Sequence, residues 1–183
     1  MRPVYFTKSS ANLALSGGTA PYPPETRDYH HEMELVVAIG EPGFRVSESS
    51  ARRMIYGYAC GLDMTRRDLQ ATAKARGNPW DLAKNVESGA VCGEIQPAAG
   101  QVLRNGEIVL RVNGEVRQRA DLSDMIWSIP EIIADLSSYY HLQPGDLIYT
   151  GTPEGVGPVR PGDRLEGSVQ GAGKIEFEIG QAE

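Results

Sequence analysis

Cysteine is scarce. The 183 residues hold two, Cys60 and Cys92, and neither belongs to a C-x-x-C pair. A disulfide scaffold is excluded, and both read as free thiols of a reducing compartment. Long apolar runs are absent too. The longest clean one, Leu35 to Ile39, falls far short of the roughly 20 residues a membrane helix needs. The stretch from Met1 to Lys8 has no hydrophobic signal core, so the expectation is a cytoplasmic protein. Basic charge does not predominate. Lys plus Arg is 18 against 24 for Asp plus Glu, a net charge of −6 with no basic run, which argues against a nucleic-acid partner. No repeat, low-complexity tract or interdomain linker occurs, and the length suits a single domain spanning 1–183.

Turn formers are plentiful, with 21 Gly and 12 Pro. Residues 9–29 are rich in Gly, Pro and Ser and read as extended loop carrying at most a short strand. His31 to Ile39 reads as a strand ended by Gly40, and Tyr56 to Leu62 as a second strand running into Asp63. Thr65 with Asp68 resembles a capping box opening a helix to about Arg76, stopped by Gly77. Pro79-Trp80 leads into a loop around Lys84. Asn113-Gly114 between two strand-like runs signals a hairpin. Ser128, Pro130 and Glu131 open a helix to about Tyr139. Further strands are read at 147–150, 164–169 and 174–179, with a glycine-rich loop from Gly151 to Gly157. Strands and helices do not alternate regularly, so the expected class is mainly β or α+β with a mixed or antiparallel sheet.

Glu32-Met33-Glu34 is the sharpest chemical feature. On a strand, residues i and i+2 share a face, so both carboxylates lie side by side with Met33, Leu35 and Val37 opposite. The triplet alone also fits the solvent-facing edge of an antiparallel sheet. Asp63, charged at the end of an apolar strand, completes an oxygen-only set suited to Mg²⁺, Mn²⁺ or Ca²⁺, although it also fits a helix cap or turn. Arg67 and Gln70 are three apart on a helix and share a face. With Lys84 they fit either a solvated surface or the anion-binding wall of a metal site. The Gly151–Gly157 loop lacks the Gly-Lys-Ser/Thr ending of a phosphate loop. It fits a plain turn or backbone amides approaching a carboxylate. By parity His30, rather than His31, accompanies the carboxylates. His141 reads as exposed, and Trp80 and Trp127 as packing residues.

Several segments in this order resemble the fumarylacetoacetate hydrolase family, within it the hydrolases of fumarylpyruvate and related acylpyruvates. They are Asp28 to Leu35, Leu62 to Gln70, Pro79 to Lys84, Val112 to Gln118, Ile129 to Ile133 and Pro144 to Gly157. The resemblance implies a mixed β-sandwich roll, a homodimer and a divalent cation. It assigns Glu32, Glu34 and Asp63 to the metal. Arg67, Gln70 and Lys84 match substrate-side positions, with Lys84 the catalytic one. Thr152 matches a carboxylate-binding threonine, and Lys8 a lysine at the site entrance. The implied reaction is hydrolysis of the C–C bond of a 3-acylpyruvate such as fumarylpyruvate. Oxaloacetate decarboxylation is the alternative, since it too yields a pyruvate enolate. Family members also carry a Gly-x-Asn-Tyr-x-x-His-x-x-Glu segment upstream, whose His and Glu activate water. This sequence does not contain it, so the expectation is a domain without that lid, from a truncated chain or a homologue impaired in hydrolysis.

Overall fold

Alternation along two long strands sets the layers of the structure, a computed structural model that describes residues 3–182. In chain order the first strands are β1 (Leu13–Leu15), β2 (Gly18–Pro21), β3 (Tyr29–His31), β4 (Met33–Ile39) and β5 (Ile55–Asp63). Then come β6 (Thr65–Arg66), β7 (Ala90–Cys92), β8 (Gln96–Pro97), β9 (Glu107–Val112) and β10 (Glu115–Asp121). The last are β11 (Leu147–Tyr149), β12 (Gly157–Pro158), β13 (Arg164–Val169) and β14 (Gly173–Gly180). The α-helices are short: α1 (Glu48–Ala51), α2 (Arg67–Arg76), α3 (Asp81–Lys84) and α4 (Ile129–Leu136).

One sheet has the order β1-β7-β5-β4-β11, with β8 added to β5; a second runs β10-β9-β13-β14-β2; a small third is β12-β3-β6. The β1–β7 and β2–β14 pairings are parallel and the others antiparallel, so the expected mixed β-sandwich with few short helices is what forms. Met33, Leu35, Val37, Cys60 and Leu62 face the main core with Leu110, Leu165, Ile175 and Phe177 of the second sheet. The layers meet tightly at Gly167, where a Cβ would stand 2.7 Å from the Met33 sulfur. The opposite face of β4 and β5 carries Val36 and Ala59 in a smaller cluster.

The Asn113-Gly114 hairpin forms as expected, with φ of 53° and 82° as a two-residue turn of this type demands. Gly77 ends α2 in the left-handed region. Ser128 and Glu131 cap α4 reciprocally, although this helix stops at Leu136 rather than near Tyr139.

Four local expectations are corrected. Residues 9–29 carry two strands, because β1 and β2 pair in parallel with β7 and β14, partners remote in sequence. Residue 32 separates β3 from β4, so the single strand beginning at His31 is broken there. The N-cap position of α2 is Arg66, not Thr65, and the Asp68 carboxylate instead accepts from the Thr26 hydroxyl and the Arg27 N–H. Lys84 closes α3 rather than lying in a loop, and its side chain is buried.

Candidate metal centre

The site grows from the pairing of β4 with β5. Glu34 lies opposite Gly61 and Met33 opposite Leu62, and the Asp63 N–H donates to the Glu32 carbonyl at 2.9 Å. At Gly61 the Val36 and Tyr149 side chains occupy the space a Cβ would take, while Glu34 and Asp63 share the face opposite Met33 and Leu62. Ligand oxygens of Glu32, Glu34 and Asp63 consequently lie within 4.8 Å of one another, and all three residues are buried. The edge-strand alternative is overturned: β4 runs between β5 and β11, and all seven of its residues are buried.

Cations surround the acids. The Lys84 ammonium lies 2.6 Å from Asp63 Oδ2, 3.0 Å from Glu32 Oε2 and 2.7 Å from the Thr65 hydroxyl. The Thr65 hydroxyl donates in turn to Glu32 Oε1 at 3.0 Å. Arg67 donates to Glu32 Oε1 at 2.6 Å and to Gln70 Oε1 at 2.5 Å, so the expected shared face of α2 is realised. Its Nε also donates to His30 Nδ1 at 3.3 Å, and His30 Nε2 lies 2.8 Å from Asp28. His30 therefore belongs to the carboxylate side, as parity predicts. His31 turns away and donates from Nδ1 to Gln118 Oε1 at 3.0 Å.

Lys8 reaches the cluster from below, 2.9 Å from Asp63 Oδ1, with its side chain buried rather than standing at an entrance. Its three protons go to the carbonyls of Met64, Lys84 and Gly89. Lys8 thus supplies charge but no hydrogen bond, and Asp63 Oδ1 remains a buried acceptor without a donor. Burial pulls the Lys8 ammonium below its ordinary value, against the pull of Asp63.

The acids respond differently. Burial would raise the Glu32 carboxyl, but Lys84, then Arg67 and Thr65, outweigh it and hold Glu32 below the usual range. Among the described residues Glu34 makes no ion pair, and the Lys84 charge pulls it down less than the other influences act. Burial first, and the Asp63 charge second, push it up to about 8, only partly opposed by the Gly151 N–H at 2.7 Å. Three buried carboxylates whose oxygens converge, with Glu34 pushed upward by burial, fit a hard divalent cation, whose charge would offset the crowding of the acids. The all-oxygen donor set excludes a zinc thiolate centre.

Thr152 sits above β4. Its hydroxyl donates to the Met33 carbonyl at 2.8 Å and accepts from Gln118 Nε2 at 2.8 Å. The loop it belongs to is tied to β4 again by the Thr150 hydroxyl on the Leu35 carbonyl. All eight expected site residues therefore gather around one centre. Thr65 and Gln118 also take part. Thr65 reads in sequence as a helix cap, and no compositional signal singles out one amide among the charges of β10. Cys60 and Cys92 are both free and buried, and His141 is exposed and stacked on Phe44. A cavity of about 390 Å³ lined in part by His31, Arg117, Arg160 and Asp163 includes none of Glu32, Glu34 and Asp63.

Comparison with known proteins agrees with this geometry. A fumarylpyruvate hydrolase of Ralstonia sp is 59% identical over 179 residues, covering 98% of this chain and 93% of the relative. The mitochondrial oxaloacetate tautomerase FAHD1 of Arabidopsis thaliana is 41% identical over 180 residues, 97% of this chain and 80% of the relative. The crystal structure of fumarylpyruvate hydrolase from Pseudomonas aeruginosa with Mn²⁺ and pyruvate superposes with a TM-score of 0.94 at 40% identity, covering 99% of this chain and 80% of that one. The family described as fumarylacetoacetate (FAA) hydrolase, C-terminal, matches residues 1–180, and the chain belongs to it.

Proposed function

We propose that this chain is a divalent-metal-dependent hydrolase that cleaves the C–C bond of fumarylpyruvate, giving fumarate and pyruvate in the breakdown of aromatic compounds. The observation that carries this reading is the convergence of Glu32, Glu34 and Asp63, beside Lys84 and Arg67, in a chain 59% identical to a fumarylpyruvate hydrolase. The cation held by the three carboxylates would supply positive charge where the pyruvate half becomes an enolate. Mg²⁺ is the ion we favour, with Mn²⁺ or Ca²⁺ able to occupy the same oxygens.

The chain's own residues divide the remaining work. Arg67, held by Glu32, Gln70 and His30, presents a guanidinium oriented for a substrate carboxylate. Gln70 and Thr152 complete the binding wall. Lys84, whose three protons reach Asp63, Glu32 and Thr65, is the proton donor nearest the acids. Lys8 fixes the carbonyls beneath Asp63 and adds charge to the pocket. Water adds to the distal carbonyl, the bond to the central carbon breaks, and the pyruvate enolate takes up a proton.

The reading includes one catalytic domain over these residues, a cytoplasmic setting and a homodimer. None of the described helices is long and apolar enough to cross a membrane, and exposed Leu15 and Ile126 offer apolar surface to a second copy. The test is an assay with fumarylpyruvate, another acylpyruvate and oxaloacetate, with Mg²⁺, Mn²⁺ or a chelator, using Glu34→Ala as control. Cleavage of fumarylpyruvate that needs the metal and is lost in the variant is expected. Metal-independent cleavage, or preferential decarboxylation of oxaloacetate, would displace this reading.

A further inference from the structure

The β10 strand is paired with β9 in register at Val116↔Arg111, and pairing resumes at Gln118↔Leu110. Arg117 is therefore the extra residue of a bulge. Without it, Arg117 would stand opposite Leu110, which points into the core. The bulge turns Gln118 inward instead and leaves Arg117 outside, the kind of re-aiming for which bulges are used near functional sites. Gln118 is the only residue of β10 that is fully buried, at 1% exposure.

Its amide is saturated. Oε1 accepts from His31 Nδ1 and from the Met33 N–H, both at 3.0 Å. Those two residues flank Glu32 in sequence. Nε2 donates to the Thr152 hydroxyl at 2.8 Å and to the Pro153 carbonyl at 2.9 Å. The same loop touches β10 again at Gly155, whose φ is +96° and where a Cβ would meet the Arg117 carbonyl at 2.2 Å. One buried amide thus joins a metal-binding strand to the loop that carries Thr152. With the Thr152 hydroxyl proton committed to the Met33 carbonyl, its backbone N–H, like those of Glu154, Gly155 and Val156, has no acceptor among the described residues and is a donor the loop can offer a ligand.

We propose that Gln118 is a positioning residue that seats residues 151–156 on the metal-binding strand, so that the Thr152 N–H meets a substrate carboxylate. This rests on the hydrolase reading above. Gln118 itself does not touch the reacting atoms. Its contribution is to binding geometry and not to the bond-breaking step.

The informative variant is Gln118→Glu, which keeps both acceptor contacts and loses both donations to the loop. In the Mn²⁺-loaded protein we expect amide hydrogen exchange of 151–156 to quicken and KM for fumarylpyruvate to rise, each about tenfold, with kcat and Mn²⁺ affinity within about threefold. Gly155→Ala lifts the loop while leaving Gln118 intact, and the same KM increase is expected. If Gln118→Glu does not fold, Gly155→Ala decides, together with the Gln118 side-chain amide in wild-type spectra, whose protons must exchange slowly. Wild-type loop exchange and KM in folded Gln118→Glu, or a fast-exchanging amide, would overturn the proposal. Should the wild-type protein fail to cleave fumarylpyruvate, the function reading falls, whereas loop exchange still judges the seat.

Discussion

Lys84 and Asp63, 21 positions apart in the chain, meet at 2.6 Å with both side chains only 2% exposed. A buried carboxylate at this spot faces an internal ammonium, and the same ammonium is shared with Glu32. Acids and cations of the site are therefore paired inside the protein before any ligand arrives.

Removing Lys84 should be costly. Lys84→Met leaves buried Asp63 with Lys8 alone and Glu32 with Arg67 alone, and breaking such a buried pair costs about 3 kcal/mol or more. Urea unfolding of the metal-free variant should show this loss, with partial recovery on adding Mn²⁺. Cleavage of fumarylpyruvate should fall by about 10²-fold or more. An active and fully stable variant would show that Lys84 merely fills space.

Glu34 links metal binding to pH. Its carboxyl, near 8 in the fold, lies above the ordinary value of 4.5. The folded metal-free protein therefore keeps a proton that the unfolded chain gives up. That stabilisation is fully present below the unfolded value and is lost as pH rises through about 8. Urea midpoints of the metal-free protein should accordingly fall from pH 5 toward 8, by this group's contribution. Metal binding must expel the proton, so apparent Mn²⁺ affinity should climb with pH and level off above about 8. Calorimetry at pH 7 in two buffers of different ionisation enthalpy should register the released proton. Equal heats in both would contradict the assignment of Glu34 as a ligand.

Lys8 tests the floor of the site. Lys8→Met strips hydrogen bonds from three carbonyls, including that of Lys84, and removes a charge beside Asp63. A stability loss of about 2 kcal/mol is expected in thermal or urea unfolding. Weaker substrate binding should accompany it, measured as a rise in KM.

The core behind Gln118 offers a further test. Leu110 is fully buried between the two large sheets, and Leu110→Ala should lower unfolding free energy by about 2–5 kcal/mol. Mn²⁺ affinity of the folded fraction should stay unchanged. A large loss of affinity would mean that the second sheet, and not only β4 and β5, shapes the carboxylate cluster.

Local chemistry made much of this protein readable in one dimension. The alternation from Met33 to Val37 placed apolar residues on the core face and Glu34 on the other, because successive strand side chains point to opposite sides. Asn113-Gly114 and Gly77 act through their own backbone, and the Ser128–Glu131 cap through side chains three residues apart, so none needed a distant partner. What depended on remote contacts was not readable. The strands between residues 13 and 21 exist because β7 and β14 receive them. Thr65 left its cap for Glu32 and Lys84, and the bulge at Arg117 appears only once β10 pairs with β9. The sequence by itself determined the residue types of the centre and the face on which the acids stand. Only the tertiary structure decided which cation answers which acid, since that depends on burial and on distances of 2.6–3.0 Å that no spacing along the chain encodes.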